Sequence, residues 1–247
     1  MALPPDATVA TTPFWQALEP PADDDALAPP WCQGVPVRLP DGRVLRLPIR
    51  PRPGTPDRAV ASLIANQAAF DVVDALVDAM VAQVRPWQPA VIVGLPTLGM
   101  VFAGPIARAL GQARWVPLGY SRKYWYDEAL SAEVSSITSP GAGKRLYVDP
   151  NQLPLLRGGR RVVLVDDAVS TGTTLLRAWD LLERCGAEVL GAAVAMRQGT
   201  AWRTALGSAR AAQVRGVFDT ALLRRSAQGW WPEDLPPPGQ GTAGPSA

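Results

Sequence analysis

The stretch VVLVDDAVSTGTT, residues 162–174, decides how the rest of the chain is read. It opens with an apolar run, Val162 to Val165, of the kind that fills a buried strand. Two acids follow at once, and then small and hydroxyl residues around one glycine. Ser170, Thr171, Gly172, Thr173 and Thr174 lead into a predicted helix, where backbone N–H groups lack carbonyl partners and the helix dipole favours negative charge. The hydroxyls add donors without the bulk of a lysine, and Gly172 lets the main chain approach a ligand closely. Such a loop suits a phosphate monoester. Asp166 and Asp167 would repel that phosphate, so they address hydroxyl groups or a divalent cation a short distance away. A sugar phosphate with its ring hydroxyls over the carboxylates, and Mg²⁺ nearby, satisfies both halves; ribose 5-phosphate is a concrete candidate.

The flanking sequence alternates short apolar runs with amphipathic segments. A strand over 90–93 leads through a loop into a helix over 100–110, and a strand over 115–118 follows. After the opening motif come a helix with Leu175, Ala178, Trp179 and Leu182 on one face, a strand over 189–195, a short helix and a strand over 214–218. This order predicts an α/β fold, a single domain with a mainly parallel sheet flanked by helices. Ligands of such sheets bind at the carboxyl ends of the strands, where the loops after Val93 and Val165 lie. Upstream, residues 35–49 alternate apolar and polar positions around Asp41-Gly42 and predict an N-terminal hairpin. Val73, Leu76, Val77, Met80, Val81 and Val84 share a face of a helix predicted over 60–85. Residues 119–161 are polar, hold one convincing strand near 145–148, and read as a long flexible lid loop. Residues 1–34 and 232–247, rich in Pro, Ala and Gly, read as tails around a domain over 35–231.

Composition narrows the function classes. The 247 residues are 47% hydrophobic with a net charge of +2, which suits one full core and argues against a nucleic-acid groove or a basic membrane helix. Residues 90–110 are apolar enough to suggest a membrane span, but Gly94, Pro96, Gly99, Gly104 and Pro105 interrupt them. Cys32 and Cys185 form no CxxC and the N-terminus lacks a signal-peptide pattern, so a cytoplasmic location is expected. The chain has no histidine, which excludes a Ser-His-Asp triad at the Ser170 segment. A phospho-accepting receiver domain needs a later acid, for which Asp219 is available, and then a lysine, but no lysine follows Lys144. A Walker A loop needs GK[ST], and Gly143-Lys144 is followed by Arg145.

The opening motif resembles the PRPP-binding signature of the type I phosphoribosyltransferases (PRPP, phosphoribosyl pyrophosphate), with strand, acid pair, loop and helix in register. The resemblance continues in VGLPTLGMVFAGPIARALG, similar to the segment that carries the family's pyrophosphate loop, and in YSRKYWYDEALS, placed where adenine-type members carry an Arg-Lys loop. The family implies transfer of ribose 5-phosphate from PRPP to a nucleobase, a purine being favoured, with Mg²⁺ as cofactor, release of pyrophosphate and a homodimeric assembly. By position, Ser170, Thr171, Gly172, Thr173 and Thr174 would hold the 5-phosphate. Asp166 and Asp167 would contact the ribose hydroxyls directly or through hydrated Mg²⁺. Thr97, Leu98 and Gly99 would present amides to the pyrophosphate, and Arg122 and Lys123 would reach it from the lid. Only two lysines, Lys123 and Lys144, occur among the 24 basic residues, and both lie in the 119–161 segment. One departure is recorded: where hypoxanthine and guanine members carry an Asp that serves the base, this chain has Ser170, leaving Glu128 and Glu133 as the nearest carboxylates in sequence. The competing expectation is a PRPP-sensing regulatory protein that keeps the loop without transferase activity.

Overall fold

The computed structural model describes residues 14–134 and 144–234. Along the chain the elements are α1 (Asp24–Leu27), β1 (Gly34–Arg38), β2 (Val44–Arg52), β3 (Thr55–Ala61), α2 (Phe70–Val84), β4 (Val91–Gly94), α3 (Gly99–Ala109), β5 (Val116–Pro117), β6 (Ser131–Val134), β7 (Lys144–Tyr147), β8 (Arg160–Val169), α4 (Thr173–Arg184), β9 (Ala187–Gln198), α5 (Ala201–Ala211), β10 (Val214–Thr220), β11 (Leu223–Ser226) and β12 (Gly229–Pro232). They gather into two compact units, residues 64–219 and the flanking residues 14–63 with 220–234. The sequence predicts one domain over 35–231; the chain instead gives the N-terminal hairpin region a sheet of its own, closed by strands from the C-terminal end.

In the unit of 64–219 the sheet order is β10-β9-β8-β4-β5. β8 lies parallel between β4 and β9, with Val162 opposite Val91 and Val189, and Val165 opposite Gly94 and Ala193. Val162 to Val165 are fully buried, as a central parallel strand requires. Alternation sends Val162 and Leu164 to the face covered by Leu175, Ala178, Trp179 and Leu182 of α4, the helical stripe expected from the sequence. α3 packs on β4 and β8, and α2 on β9 and α3.

β8 does not stop at Val165. β9 continues beside it, pairing Asp166 with Val194, Ala168 with Met196 and Val169 with Arg197, so the acid pair sits within a strand rather than after one. On the other side β4 ends at Gly94, and Leu95 makes a last bond to the Val165 carbonyl, 2.9 Å. The acids therefore line the opening left where one neighbour turns away, the crevice in which α/β sheets bind ligands.

The described parts of the 119–161 segment hold more strand than the predicted lid. β6 and β7 pair antiparallel, Ser131 opposite Tyr147 and Val134 opposite Lys144, and Ala132, Val134, Leu146 and Val148 enter the same core cluster as α4. Sequence alternation over so short a span was visible only for β7. Residues 135–143 of the lid lie outside the described residues.

In the other unit the sheet order is β1-β2-β3-β11-β12. The hairpin around Asp41-Gly42 forms as predicted, with Val37 opposite Leu45 and Gly42 donating to the Leu39 carbonyl at 2.9 Å. The helix predicted from residue 60 begins only at Phe70. Ala59 and Ala61 point into the core of β3 while Val60 is partly exposed, an alternation of period two, and Ala61 pairs with Ile49. The tail predicted over 1–34 is also corrected for its described part. Phe14 and Trp15 are buried, the Trp15 indole donates to the Ser62 carbonyl at 3.0 Å, and Glu19 exchanges backbone bonds with Val44 at 2.8 and 3.0 Å. Trp31 bridges to Trp230, and Trp230 and Trp231 are buried in β12. Residues 1–13 and 235–247 of the predicted tails lie outside the described residues. No helix among the described residues is long and apolar enough to cross a membrane.

Replacing Trp15 by Ala should lower the urea midpoint, by about 3–5 kcal/mol of stability. An unchanged midpoint would mean that this segment does not contribute to the folded unit.

Candidate functional site

Asp166 and Asp167 are both only partly exposed at the end of the buried run of β8. Withdrawal from water pushes Asp166 well above the usual carboxylate range, and the Asp167 carboxyl beside it adds to the shift. The Asp167 amide donates to Asp166 Oδ1 at 2.9 Å and the Gly99 amide also favours the ionised form, but desolvation and repulsion win. Desolvation raises Asp167 as well, against bonds from Asp166 and from the amides of Asp167 and Ala168. Two partly dehydrated carboxyls side by side resist full ionisation and invite a cation or a set of hydroxyl donors.

The loop after β8 is the candidate anion cradle. Gly172 precedes α4 with φ +81°, a conformation L side chains rarely adopt, and a Cβ there would lie 3.0 Å from the Trp202 backbone. Glycine is thus demanded by both the turn and the helix behind it. The loop turns Thr173 into the first helical position, so the first-turn amides have no carbonyl of their own helix to meet. The Thr171 hydroxyl takes up one of them weakly, from the Thr173 amide at 3.4 Å, and lies 3.3 Å from the Thr173 hydroxyl. Asp166, Ala168, Val169, Ser170, Thr171, Gly172, Thr174 and Leu175 enclose a cavity of about 200 Å³ that joins the cradle to the first acid.

The loop after β4 closes the opposite side. The peptide between Pro96 and Thr97 is cis, and α3 starts at Gly99. Gly99 rests on the acid pair itself: an added Cβ would stand 2.5 Å from the Val165 carbonyl and 2.9 Å from an Asp166 carboxylate oxygen. Its amide, expected to face pyrophosphate together with those of Thr97 and Leu98, also favours the ionised form of Asp166. Thr97 is exposed and Leu98 partly so.

Arg122 and Lys123 are exposed. Arg122 is engaged by Glu128, Nε to Oε1 at 3.0 Å, and Glu128 also meets Arg145 at 3.6 Å. Arg145 in turn donates to Ser131 Oγ at 2.9 Å, tying the pair to the start of β6. Glu128 therefore serves a cation rather than a base here, and Glu133 lies exposed on β6. Asp219, the spare acid of the sequence, is held by Arg197 in a two-point pair at 2.6 and 2.8 Å. Sequence reasoning missed Tyr120, whose phenol is pushed up by burial and by the nearby charges of Asp166 and Asp167. Its placement depends on where the chain goes after β5, which no local pattern encodes.

A parallel sheet with an acid pair beside a glycine-turned helix start defines an α/β protein with its candidate site at the carboxyl ends of the strands. The phosphoribosyl transferase domain model matches residues 59–210, and the chain belongs to that family. It is similar to the adenine phosphoribosyltransferase of a Nocardioides species, 32% identical over 167 residues, 66% of this chain and 84% of that one. It is 28% identical to that of Gluconobacter oxydans over 61% of this chain and 78% of the relative. Its fold is similar to the adenine phosphoribosyltransferase structures of Rhodothermus marinus, with TM-score 0.56, 20% identity and 70% and 94% of the two chains covered, and of Giardia lamblia in complex with 9-deazaadenine, with TM-score 0.57, 21% identity and 70% and 93% coverage.

Gly99→Ala should cost about 1–3 kcal/mol by overpacking against β8, read as a lower denaturant midpoint. Asp166→Asn should raise Tm at pH 7 in metal-free buffer. The raised carboxyl makes the native state hold more protons than the unfolded chain, so wild-type stability falls as pH climbs from the ordinary carboxylate range towards the folded-state value. The gap between variant and wild type should close as the buffer is acidified below about pH 4; a gap independent of pH would contradict the desolvated pair.

Proposed function

We propose that this protein transfers ribose 5-phosphate from PRPP to a purine base and releases pyrophosphate. One observation carries the reading: Asp166 and the hydroxyl-lined cradle share a single cavity, with Asp167 the next residue of β8, so one ligand can present a phosphate to α4 and a polyol to the acids. The relatives named as adenine phosphoribosyltransferases support adenine as the first acceptor to test.

In this mechanism Ser170, Thr171, Gly172, Thr173 and Thr174 bind the 5-phosphate through amides and hydroxyls. Asp166 and Asp167 orient the ribose and stabilise positive charge as it develops on the ring carbon. Thr97 and Leu98, at the start of the second loop, face the leaving pyrophosphate, and Arg122 and Lys123 join them once Arg122 leaves Glu128. Each preorganised donor of this kind contributes about a hundredfold or more in rate. No histidine is needed, because the acceptor nitrogen is already a good nucleophile.

Mg²⁺ belongs to the proposal, and the acid pair fits it. Asp166 and Asp167 are desolvated and repel one another, while no cluster of three or more acidic, Cys or His side chains occurs among the described residues. A cation held there would take its remaining oxygens from water and substrate, the usual habit of Mg²⁺, and would neutralise charge on the departing group.

The test supplies PRPP, Mg²⁺ and a panel of purine and pyrimidine bases and follows pyrophosphate and nucleotide by phosphorus NMR. Product from adenine or another purine is the expected result. PRPP binding without product from any base would favour the sensor. Asp167→Asn should reduce turnover at least a hundredfold with an unchanged circular dichroism spectrum.

A further inference from the structure

The far end of α3 borders a cavity of about 630 Å³ that the proposed transfer leaves unused. Gly99 starts the helix against Asp166, whereas Arg108, which lines the cavity, stands about 13 Å further along the axis. Arg108 and Arg114 are exposed on its rim, and no carboxylate lines it among the described residues. Arg108 has no hydrogen-bond or acid partner among the described residues, and Arg114 reaches only the Gln152 amide oxygen, at 3.4 Å. Trp115 forms a wall. Its ring is held against Gly94, where an added Cβ would stand 2.7 Å away, and its indole nitrogen lies towards Gly104, where a Cβ would stand at 3.5 Å. The indole N–H meets no acceptor among the described residues. Gln112, by contrast, is fully engaged: it accepts from the Ile92 amide at 3.0 Å and donates to the Pro89 carbonyl at 2.9 Å.

The free carbonyls of a helix C-terminus ordinarily repel anions. Here the carbonyls of Ile106, Ala107, Arg108 and Ala109 all accept bonds, the last from the Arg85 guanidinium at 3.2 Å. The two arginines of the rim therefore set the local charge. Guanidinium forks suit phosphate oxygens, while Pro105, Ala109 and the Trp115 ring offer an apolar wall. The volume is larger than inorganic phosphate fills and lies within the usual span of small-molecule sites, about 300–1,000 Å³. A flat heteroaromatic ring joined to a phosphate uses both halves and the free indole N–H. We propose that this cavity binds a nucleoside monophosphate, its phosphate on Arg108 and Arg114 and its base against Trp115. The site uses neither the acid pair nor the cradle and does not rest on the PRPP reading.

AMP, adenosine and inorganic phosphate are titrated calorimetrically into the full chain with Mg²⁺ and saturating PRPP, which fills the cradle if the transferase reading holds. Wild type should bind one AMP, with adenosine and phosphate each weaker by about tenfold or more. Arg108→Ala and Arg114→Ala should each raise the Kd for AMP by about tenfold or more, the loss of a charge-assisted bond. Gly104→Leu should abolish binding by filling the space, at an unchanged or higher Tm, because leucine is the better helix former. Binding of AMP at wild-type strength in any of these three variants, or its abolition by PRPP, overturns the proposal. So does phosphate or adenosine binding as tight as AMP, or a wild type that binds no AMP. If PRPP itself does not bind, the transferase reading falls, and the affinity of the three variants for AMP still decides on the cavity.

Discussion

Asp166 and Asp167 stand side by side at the end of the buried run of β8; withdrawal from water makes both harder to ionise, and Asp167 adds to the cost at Asp166. The architecture around them is arranged to keep that unfavourable pair in place. β9 pairs with β8 past Val165 and holds the acids extended, while β4 stops short and leaves one side open. Gly99 has no side chain, which lets the start of α3 lie against Asp166. Such a pair weakens the folded chain at neutral pH, as desolvated charges do, and its retention makes sense only if a ligand relieves the repulsion.

Anion binding is kept apart from the acids by geometry rather than by distance along the sequence. The cradle belongs to the N-terminus of α4, whose dipole and unsatisfied amides attract the charge that the carboxylates repel. Gly172 makes the turn possible and lets α5 pack behind it through Trp202. Glu128, Arg122, Arg145 and Ser131 form a separate polar chain on the hairpin side, where an exposed carboxylate pairs with the arginine. An exposed pair of this kind contributes little to stability, so exchanging its partner costs little.

Residues 162–174 announce their own geometry because each part uses a local rule: β-branched residues for a buried strand, hydroxyls and one glycine for a helix start. The stripe on α4, the hairpin at Asp41-Gly42 and the alternation of strands and helices were legible for the same reason. The helix start at Phe70 was not, since β3 draws its alternation from pairing with β2 and β11, both distant in sequence. Nor was the packing of residues 14–33, whose Pro and Ala content hides Phe14, Trp15 and Trp31 among weak local signals.

What the sequence by itself determined is the chemistry on offer: two acids, an anion loop, no histidine, and an α/β order that puts both site loops at one edge of the sheet. Tertiary structure alone decided what each group faces. It carried β8 beyond its apolar run, set Gly99 against Asp166, paired Arg122 with Glu128 and joined Gly119 to Tyr147. Apart from the Arg122–Glu128 pair, those outcomes depend on contacts between residues tens of positions apart, and propensity and periodicity act only over a few.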